Sequence, residues 1–520
     1  MTTTAGDTPD AATATLVAAL QRQLGGTLVE THISWVLLDG VHAWKIKKPV
    51  QLSFLDARAL ATRQRLCQEE LRLNRRLAPS LYLDVAAIHG TPDAPRLDGG
   101  GPVIEYALRM RQFPAGALLS EQLAAGTLLP AHLDRLARRL ADFHATAAVA
   151  AADTPYGTPE GIEGDVLQLL DGLALHGAAP ACAALRAWVA TTAPRLVPLW
   201  QGRRDAGRVR EGHGDLHLAN AVLLGDEVTA FDCLEFDPAL RWIDVFSDTG
   251  FLVMDLLARG RGDFAFRFLN AYLDASGDHA GVPVLRWYLV YRALVRSLVA
   301  RIRAGQGGAA AGPDYLALAL RLAGAGDARL LITHGVSGSG KSHVGQRLLE
   351  QAQAIRLRSD VERKRLFGLQ ALEASAQRFP GGIYGADATR RTYARLYELA
   401  DAALQAGHRV IVDAAFLRAS QRDDFRRLAQ QRRLPFTILH CRAPTAVLRE
   451  RVRARSGRGD DASEADVSVL ERQLATAEPL TAAESTCTVT VDTASALDVE
   501  ALAVHWLAEP GAAADERAPD

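Results

Sequence analysis

Apolar residues in this chain change their spacing several times, and each change marks an element. In the run from Trp35 to Pro49 (WVLLDGVHAWKIKKP), two apolar-rich segments flank Asp39-Gly40, a residue pair that tight hairpin turns favour because both positions tolerate positive φ. Two strands are expected there. Downstream, in ATRQRLCQEELRLNRRL, Leu66, Glu70, Leu73 and Leu77 recur at helical spacing until Ala78-Pro79 stops the helix. Strand-like pieces follow (VIEYALRMRQF), then a mostly helical stretch from about 118 to 200. After a polar loop come a short hairpin (AVLLGDEVTAFDCLEF) and more helices to about 324. The pattern then changes character. ARLLITHG is a compact apolar strand running into a glycine loop, and helices alternate with further strands at HRVIVDAAF, PFTILHCRA and, more weakly, CTVTVD. That alternation predicts an α/β unit with a parallel sheet covered by helices.

These patterns place one domain at 1–325, a second at 326–508 and a disordered tail at 509–520. Residues 1–12 also lack periodicity, and the Gly/Ala-rich segment at 304–313 reads as a linker. A length of 520 residues exceeds what one hydrophobic core serves. Charge changes the picture little: 59 basic and 60 acidic residues leave a net of −1, which points to neither nucleic acid nor a membrane surface. No secretion signal and no long uninterrupted apolar run is legible, so no membrane partner is expected. Five cysteines, scattered and without paired spacing, fit a reducing cytoplasm better than a disulfide framework or a zinc site. Lysine usage says more. Only five lysines (45, 47, 48, 341 and 364) stand among 59 basic residues, and a compact ammonium sits between phosphate oxygens where a planar guanidinium fits poorly.

Lys341 belongs to Gly335-Val336-Ser337-Gly338-Ser339-Gly340-Lys341-Ser342, a GxxxxGKS run entered by a strand and left by the amphipathic helix SHVGQRLLEQA. Glycines let backbone N–H groups turn toward a phosphate chain, the helix N-terminus adds positive potential, Lys341 reaches the outer phosphates and Ser342 can ligate Mg²⁺. Asp360 lies 19 residues beyond Lys341, one helix and one strand on. It is expected at a strand's carboxyl end as the base that orients an acceptor hydroxyl, with Arg363 holding a substrate anion; capping the following helix is its bland alternative. Asp413 ends the strand VIVD and is a candidate for the metal shell, or a simple strand-end turn. Arg449, Arg451, Arg453 and Arg455 fall at twofold spacing; Arg451 and Arg455 are the ATP-binding candidates, and a solvated helix face is the alternative. This half resembles the polynucleotide kinase, gluconokinase and zeta-toxin group of P-loop kinases, on the P-loop and Asp360-x-x-Arg363.

A second signature, His213-Gly214-Asp215-Leu216-His217-Leu218-Ala219-Asn220, resembles the catalytic loop of aminoglycoside and choline phosphotransferases, relatives of the protein kinases. In that template an Asp takes the acceptor proton, an Asn five residues later binds metal, and a second Asp after a hairpin completes the Mg²⁺ site. The resemblance assigns those roles to Asp215, Asn220 and Asp232, with Cys233-Leu234 standing where protein kinases have Phe-Gly. It also implies an α+β, protein-kinase-like bilobal domain with a strand lysine paired to a helix glutamate. Lys45 is chosen over Lys47 for the first, and Glu70 or Glu69 for the second. An aspartate near Asp244 and Asp248 is expected to brace the loop. The whole arrangement looks like proteins described as bifunctional aminoglycoside phosphotransferase/ATP-binding proteins.

The expected function is therefore a bifunctional ATP- and Mg²⁺-dependent phosphotransferase, each half moving the γ-phosphoryl group of ATP to a small-molecule hydroxyl. From Arg241 to Arg303 nine Arg face six Asp, a balance that suits a neutral or anionic acceptor better than a polycation. Two alternatives stand beside it: one half acting as a nucleotide sensor without turnover, or the P-loop half acting as a nucleic-acid 5′-end kinase. Near-neutral charge and no basic, aromatic-interleaved patch weigh against the latter.

Overall fold

The computed structural model describes residues 11–52, 55–97, 99–305, 312–324, 326–375, 383–456 and 462–508. The tail at 509–520, and most of the segments 1–12 and 304–313 discussed above, lie outside the described residues. The chain divides into two compact units, Met1–Asp255 with Tyr291–Ala311, and Leu256–Val290 with Gly312–Asp520.

In the first unit a six-stranded sheet runs in the order Thr27–Glu30, Ser34–Leu38, His42–Lys47, Val103–Arg111, Tyr82–Thr91, Ala94–Arg96, with antiparallel neighbours. The expected hairpin is present: Ser34 pairs with Lys47 and Leu38 with Ala43, and Gly40 takes the positive φ of 93° that closes the turn. Strand alternation decides what each residue does. Trp44 and Ile46 enter a core with Leu16, Val17, Leu20, Trp35 and Leu37, while Lys45 and Lys47 fall on the opposite face. Against the sheet lies the helix Leu60–Asn74, which contacts the strands Val103–Arg111 and Tyr82–Thr91. Helices Leu119–Ala124, Pro130–Thr146, Pro159–Leu173 and Ala179–Asp205 follow, and then the hairpin Ala221–Leu224 with Glu227–Ala230. Among the described residues one helical run, Pro159–Asp205, has the length and composition of a membrane span. It breaks at His176-Gly177, where φ reaches 81° at the glycine.

The second unit holds the parallel sheet that its strand and helix alternation predicts. Its order is Ile355–Arg358, Val410–Asp413, Leu330–His334, Phe436–Arg442, Thr488–Asp492. Leu330–His334 is central and buried along its whole length, so the loop leaving its carboxyl end opens at the middle of the sheet, where α/β folds gather ligands. The helix Lys341–Ala352 follows that loop, and Gly262–Ser276 packs on it. Asn270 secures the edge: its amide donates to Ala354 O at 2.9 Å and its Oδ1 accepts the Arg356 N–H at 2.7 Å.

Candidate functional site

Each unit gathers its own set of chemistry-bearing residues. In the first unit, Glu70 sits on the inner face of Leu60–Asn74 with no exposure and accepts from both strand lysines: from Lys45 Nζ at 2.7 Å on Oε1 and from Lys47 Nζ on Oε2. The two lysines differ in what lies beyond. Lys45 also reaches Asp232 Oδ1 at 2.6 Å, whereas Lys47 turns to Glu235. Glu69 points elsewhere, to Arg72 and Arg241. Burial disfavours the Lys45 ammonium, but the Asp232 and Glu70 carboxylates outweigh it and hold its pKa well above the ordinary lysine value.

The loop carrying Asp215 is shaped by its glycine. Gly214 has φ 87°, and a Cβ there would stand 2.7 Å from Leu240 O, so a side chain is excluded twice over. Asp248, fully buried, spans the loop: its Oδ2 accepts the His213 N–H at 2.6 Å and its Oδ1 the Gly214 N–H at 2.9 Å. Asp244 instead binds Arg203, so Asp248 occupies the bracing position. Asn220 Nδ2 donates to Asp215 O and Oδ2, both at 3.0 Å, and His217 Nε2 lies 3.4 Å from Asp215 Oδ2. Burial alone would raise the Asp215 pKa, but the charges of His217, Arg296 and His213 carry it below the usual carboxylate range. Asp232 adopts φ 65°, its N–H donates to Tyr82 Oη at 3.1 Å, and its carboxylate is 41% exposed. Burial raises its pKa, but the charge and hydrogen bond of Lys45, together with the charge of Lys47, lower it further.

Lys45, Glu70, Asp215, Asn220 and Asp232 thus converge, and Lys47, Glu235 and Tyr82 join them. Lys47 was within reach of the sequence, as part of the lysine cluster. Glu235 carried no comparable mark. For a hard cation the donor set fits: among the described residues Asn220 Oδ1 and Asp232 Oδ2 accept no hydrogen bond and remain available as oxygen ligands. Among the described residues no group of three or more His, Cys, Asp or Glu could hold a metal ion by itself. Magnesium in such a site takes its remaining ligands from water and from substrate phosphates.

In the second unit the loop from Gly335 to Ser342 wraps a hollow whose walls need glycine. A Cβ at Gly335 would meet Cys441 O at 2.5 Å, at Gly338 it would meet Leu448 O at 2.7 Å, and at Gly340 it would touch Thr493 at 3.0 Å. Lys341 Nζ donates to Val336 O at 2.9 Å and lies 3.5 Å from Ser339 Oγ, folded back over its own loop. Burial lowers its pKa, with Asp413 opposing. The Ser337 N–H is held by Gln473 Oε1 at 2.7 Å. A cavity of about 590 Å³ opens here, lined by the loop and by Asp360, Arg363, Asp413, Arg451 and Arg455.

Asp360 is not the cap of its helix. Ser359–Leu366 has Arg358 at its N-cap, and Asp360 stands in the first turn with its side chain on the cavity. Asp413 Oδ2 is buried without a hydrogen-bond partner, an orphaned acceptor of the kind that water or a cation satisfies. Arg363 lies over the Tyr384 ring at 5.0 Å, and its Nη1 contacts Thr389 Oγ1 at 3.3 Å. The four arginines at twofold spacing do not act together, because Thr445–Ser456 is a helix. Residues four apart share a face: Arg451 and Arg455 line the cavity, Arg451 Nη1 donating to Thr493 Oγ1 at 2.8 Å, while Arg449 pairs with Glu471 and Arg453 is exposed. Tyr384, Tyr393 and Glu464 also line this cavity; no sequence pattern singled them out.

Comparison with known proteins bears on both units. An AAA domain family model matches residues 330–480. Uncharacterized protein Rv2004c of Mycobacterium tuberculosis and Uncharacterized protein Mb2027c of Mycobacterium bovis are each 30% identical over 456 residues, covering 84% of this chain and 87% of theirs. The chain belongs to the family of these mycobacterial proteins. An alignment of that length cannot be confined to one unit, so family membership extends to both. Among solved structures, a sugar kinase from Janibacter sp. HTCC2649 is 23% identical with a TM-score of 0.28, over 35% of this chain and 94% of its own. A gluconokinase from Sinorhizobium meliloti 1021 is 24% identical with a TM-score of 0.26, over 35% and 93%. The glycine loop, its flanking strand and helix, and the AAA match make the second unit a P-loop nucleotide-binding domain.

Proposed function

We propose that the protein is a cytoplasmic ATP-dependent phosphotransferase with an active site in each unit. The first is a protein-kinase-like domain related to aminoglycoside and choline phosphotransferases, and the second is a P-loop small-molecule kinase. The observation that carries this reading is the meeting of Lys45 with both Glu70 and Asp232, partners 25 and 187 residues away in sequence, beside a loop that presents Asp215 and Asn220. A strand lysine, a helix glutamate, a loop aspartate and two oxygen ligands for a cation are the parts that phosphoryl transfer requires.

In the first unit Asp215 accepts the hydrogen bond of the acceptor hydroxyl and directs its oxygen at the γ-phosphorus. As the new P–O bond forms and the bond to the departing ADP oxygen breaks, the hydroxyl proton passes to the Asp215 carboxylate. A carboxylate whose pKa lies below the usual range is a weak base, so orientation is its larger contribution and the proton moves late. Glu70 and Lys47 fix Lys45 for contact with phosphate oxygens, while Asn220 and Asp232 would hold a divalent cation that offsets phosphate charge. In the second unit, Lys341 and the loop N–H groups would grip the phosphates, Ser342 and Asp413 would hold a divalent cation that offsets their charge, Asp360 would orient the acceptor, and Arg363 would meet its anionic group. Arg296, whose charge bears on Asp215, favours a neutral or anionic acceptor in the first unit. The nine-to-six Arg/Asp count does not describe one pocket, since Leu256–Val290 belongs to the second unit.

The test is ³¹P NMR of the full chain with ATP against sugars, sugar acids, aminoglycosides and oligonucleotides, repeated with Asp215→Asn and with Asp360→Asn. Each substitution is expected to slow one set of products by about 10²- to 10⁴-fold and to spare the other. Products that survive both substitutions contradict the assignment. A second reading, in which the first unit senses nucleotide without turnover, draws on the Lys45–Asp232 pair at 2.6 Å, which occupies one oxygen of the metal carboxylate. Under it, Asp215→Asn leaves every product unchanged.

A further inference from the structure

The second unit contains another cavity, of about 410 Å³, that shares no lining residue with the P-loop cavity. Its wall includes Gly326 and Asp327, which precede the strand Leu330–His334, and Gly407, His408 and Arg409, which precede Val410–Asp413. It therefore lies at the amino ends of the parallel strands, whereas the P-loop leaves a carboxyl end. Three arginines line it, Arg286, Arg321 and Arg409, against one carboxylate, Asp327. That carboxylate is already committed, to Arg409 at 2.8 Å and to Arg329 at 2.7 Å.

Arg286 is the unusual member. Its guanidinium makes two long bonds to neutral carbonyls, Gly324 O at 3.3 Å and Gly407 O at 3.2 Å, and pairs with no carboxylate among the described residues. Burial lowers its pKa with nothing opposing, which is the signature of a cation short of a counter-charge. Gly326 and Gly407 let the backbone close around it: a Cβ at either would stand 2.6 or 2.7 Å from Arg286 Nη2. His408 beside it is 9% exposed, and its Nε2 is buried without a hydrogen-bond partner. The rest of the lining includes apolar side chains from Leu257, Phe266, Leu289, Leu318 and Leu322. Positive charge short of a counter-charge beside an apolar lining is what an amphiphilic anion needs.

We propose that this cavity binds a small oxyanion with an apolar body, a phosphate monoester or a carboxylate whose head group meets Arg286 and Arg321 and whose body rests on the leucines and Phe266. Phenyl phosphate, benzoate, inorganic phosphate and phenol are the probes, titrated by calorimetry into the full-length protein and into its Lys341→Ala, Arg286→Gln, Arg321→Gln and Leu322→Trp variants. Phenyl phosphate or benzoate is expected to bind saturably, whichever is tighter naming the head group, with phenol and inorganic phosphate weaker. Lys341→Ala should leave that binding unchanged, and Arg286→Gln should weaken it about tenfold or more, the scale of a lost charge-assisted contact. Arg321 is exposed and Leu322 half-buried, so their variants decide the question if Arg286→Gln does not fold: both should weaken binding. No saturable binding of either amphiphile, or binding lost in Lys341→Ala and kept in the arginine and Leu322 variants, overturns the proposal.

Discussion

Asp248→Asn separates a residue that holds the first unit's loop from the residues proposed to do its chemistry. The Asp248 carboxylate is fully buried and accepts three contacts, from the His213 N–H at 2.6 Å, the Gly214 N–H at 2.9 Å and His144 Nε2 at 3.2 Å. An amide keeps one acceptor oxygen and turns an N–H₂ donor toward a backbone N–H that already donates. One hydrogen bond to a charged group is lost, at about 1.5–3 kcal/mol, and a buried donor is left unsatisfied, at about 1–3 kcal/mol. The two costs overlap, and we expect about 3 kcal/mol of destabilisation, confined to the first unit. At about 2–4 °C per kcal/mol for a unit of this size, its thermal transition should fall by about 6–12 °C while that of the second unit stays in place. Phosphoryl transfer by the first unit should fall with it. The pH dependence has a definite sign. Burial raises the Asp248 pKa, but His144 and the loop N–H groups lower it further, to below the usual range. Its contribution is therefore present above the ordinary carboxylate pKa and is lost only as pH falls below that range, so the variant should show a shallower acid limb. Differential scanning calorimetry and circular dichroism between acid and neutral pH read both effects. An Asp248→Asn protein within about 0.5 kcal/mol of wild type, the scale of an indifferent surface change, would refute the reasoning.

Lys47→Met should destabilise the first unit by about 3–5 kcal/mol, because it leaves Glu235 buried beside Glu70 without its cation; adding Glu235→Leu should restore most of the loss in denaturant unfolding, and no restoration would remove the pairing argument. Asp215→Asn should slow transfer by the first unit about 10²- to 10⁴-fold; because the folded protein holds the Asp215 pKa below the usual carboxylate range, the variant should also be less stable than wild type at neutral pH, a gap that closes as pH falls below that range, read in the same unfolding curves. Arg451→Ala should weaken ATP binding to the second unit about tenfold, since Arg451 lines the cavity and contacts Gly338 O. Arg449→Ala should leave it unchanged, and equal effects from the two would return the arginines to a single surface.

What the sequence disclosed was local. The strand, glycine loop and helix around 330–352 are contiguous, and the loop's close approaches at Gly335, Gly338 and Gly340 admit only glycine, so pattern and geometry coincide. Parallel order in the second sheet followed from strands separated by helices, which forbids hairpin pairing. Long-range partnership was less visible. Glu235 meets Lys47 across 188 residues, and no local spacing encodes that. The helix Ala11–Leu24 escaped because Ala and Thr dilute its apolar stripe, although Leu16, Val17 and Leu20 seal one face of the first sheet. The candidates Arg451 and Arg455 lie one helical turn apart on Thr445–Ser456 and both line the cavity, while Arg449 pairs with Glu471. Leu256–Val290 reads as a continuation of the preceding helices, yet it clusters with the second unit, partly through Asn270, whose two backbone contacts lie 84 and 86 residues downstream.

Whether the protein holds two independent nucleotide sites can be read by titration calorimetry with a non-hydrolysable ATP analogue and Mg²⁺. Lys341 serves only the P-loop, while the first unit relies on Lys45, Asn220 and Asp232, so neither set can replace the other. Two binding events are expected in the full-length protein, one after Lys341→Ala, the other weakened by Asp232→Ala, and none strong in the double variant. A single event in the unaltered protein, or loss of both from Lys341→Ala alone, would contradict it.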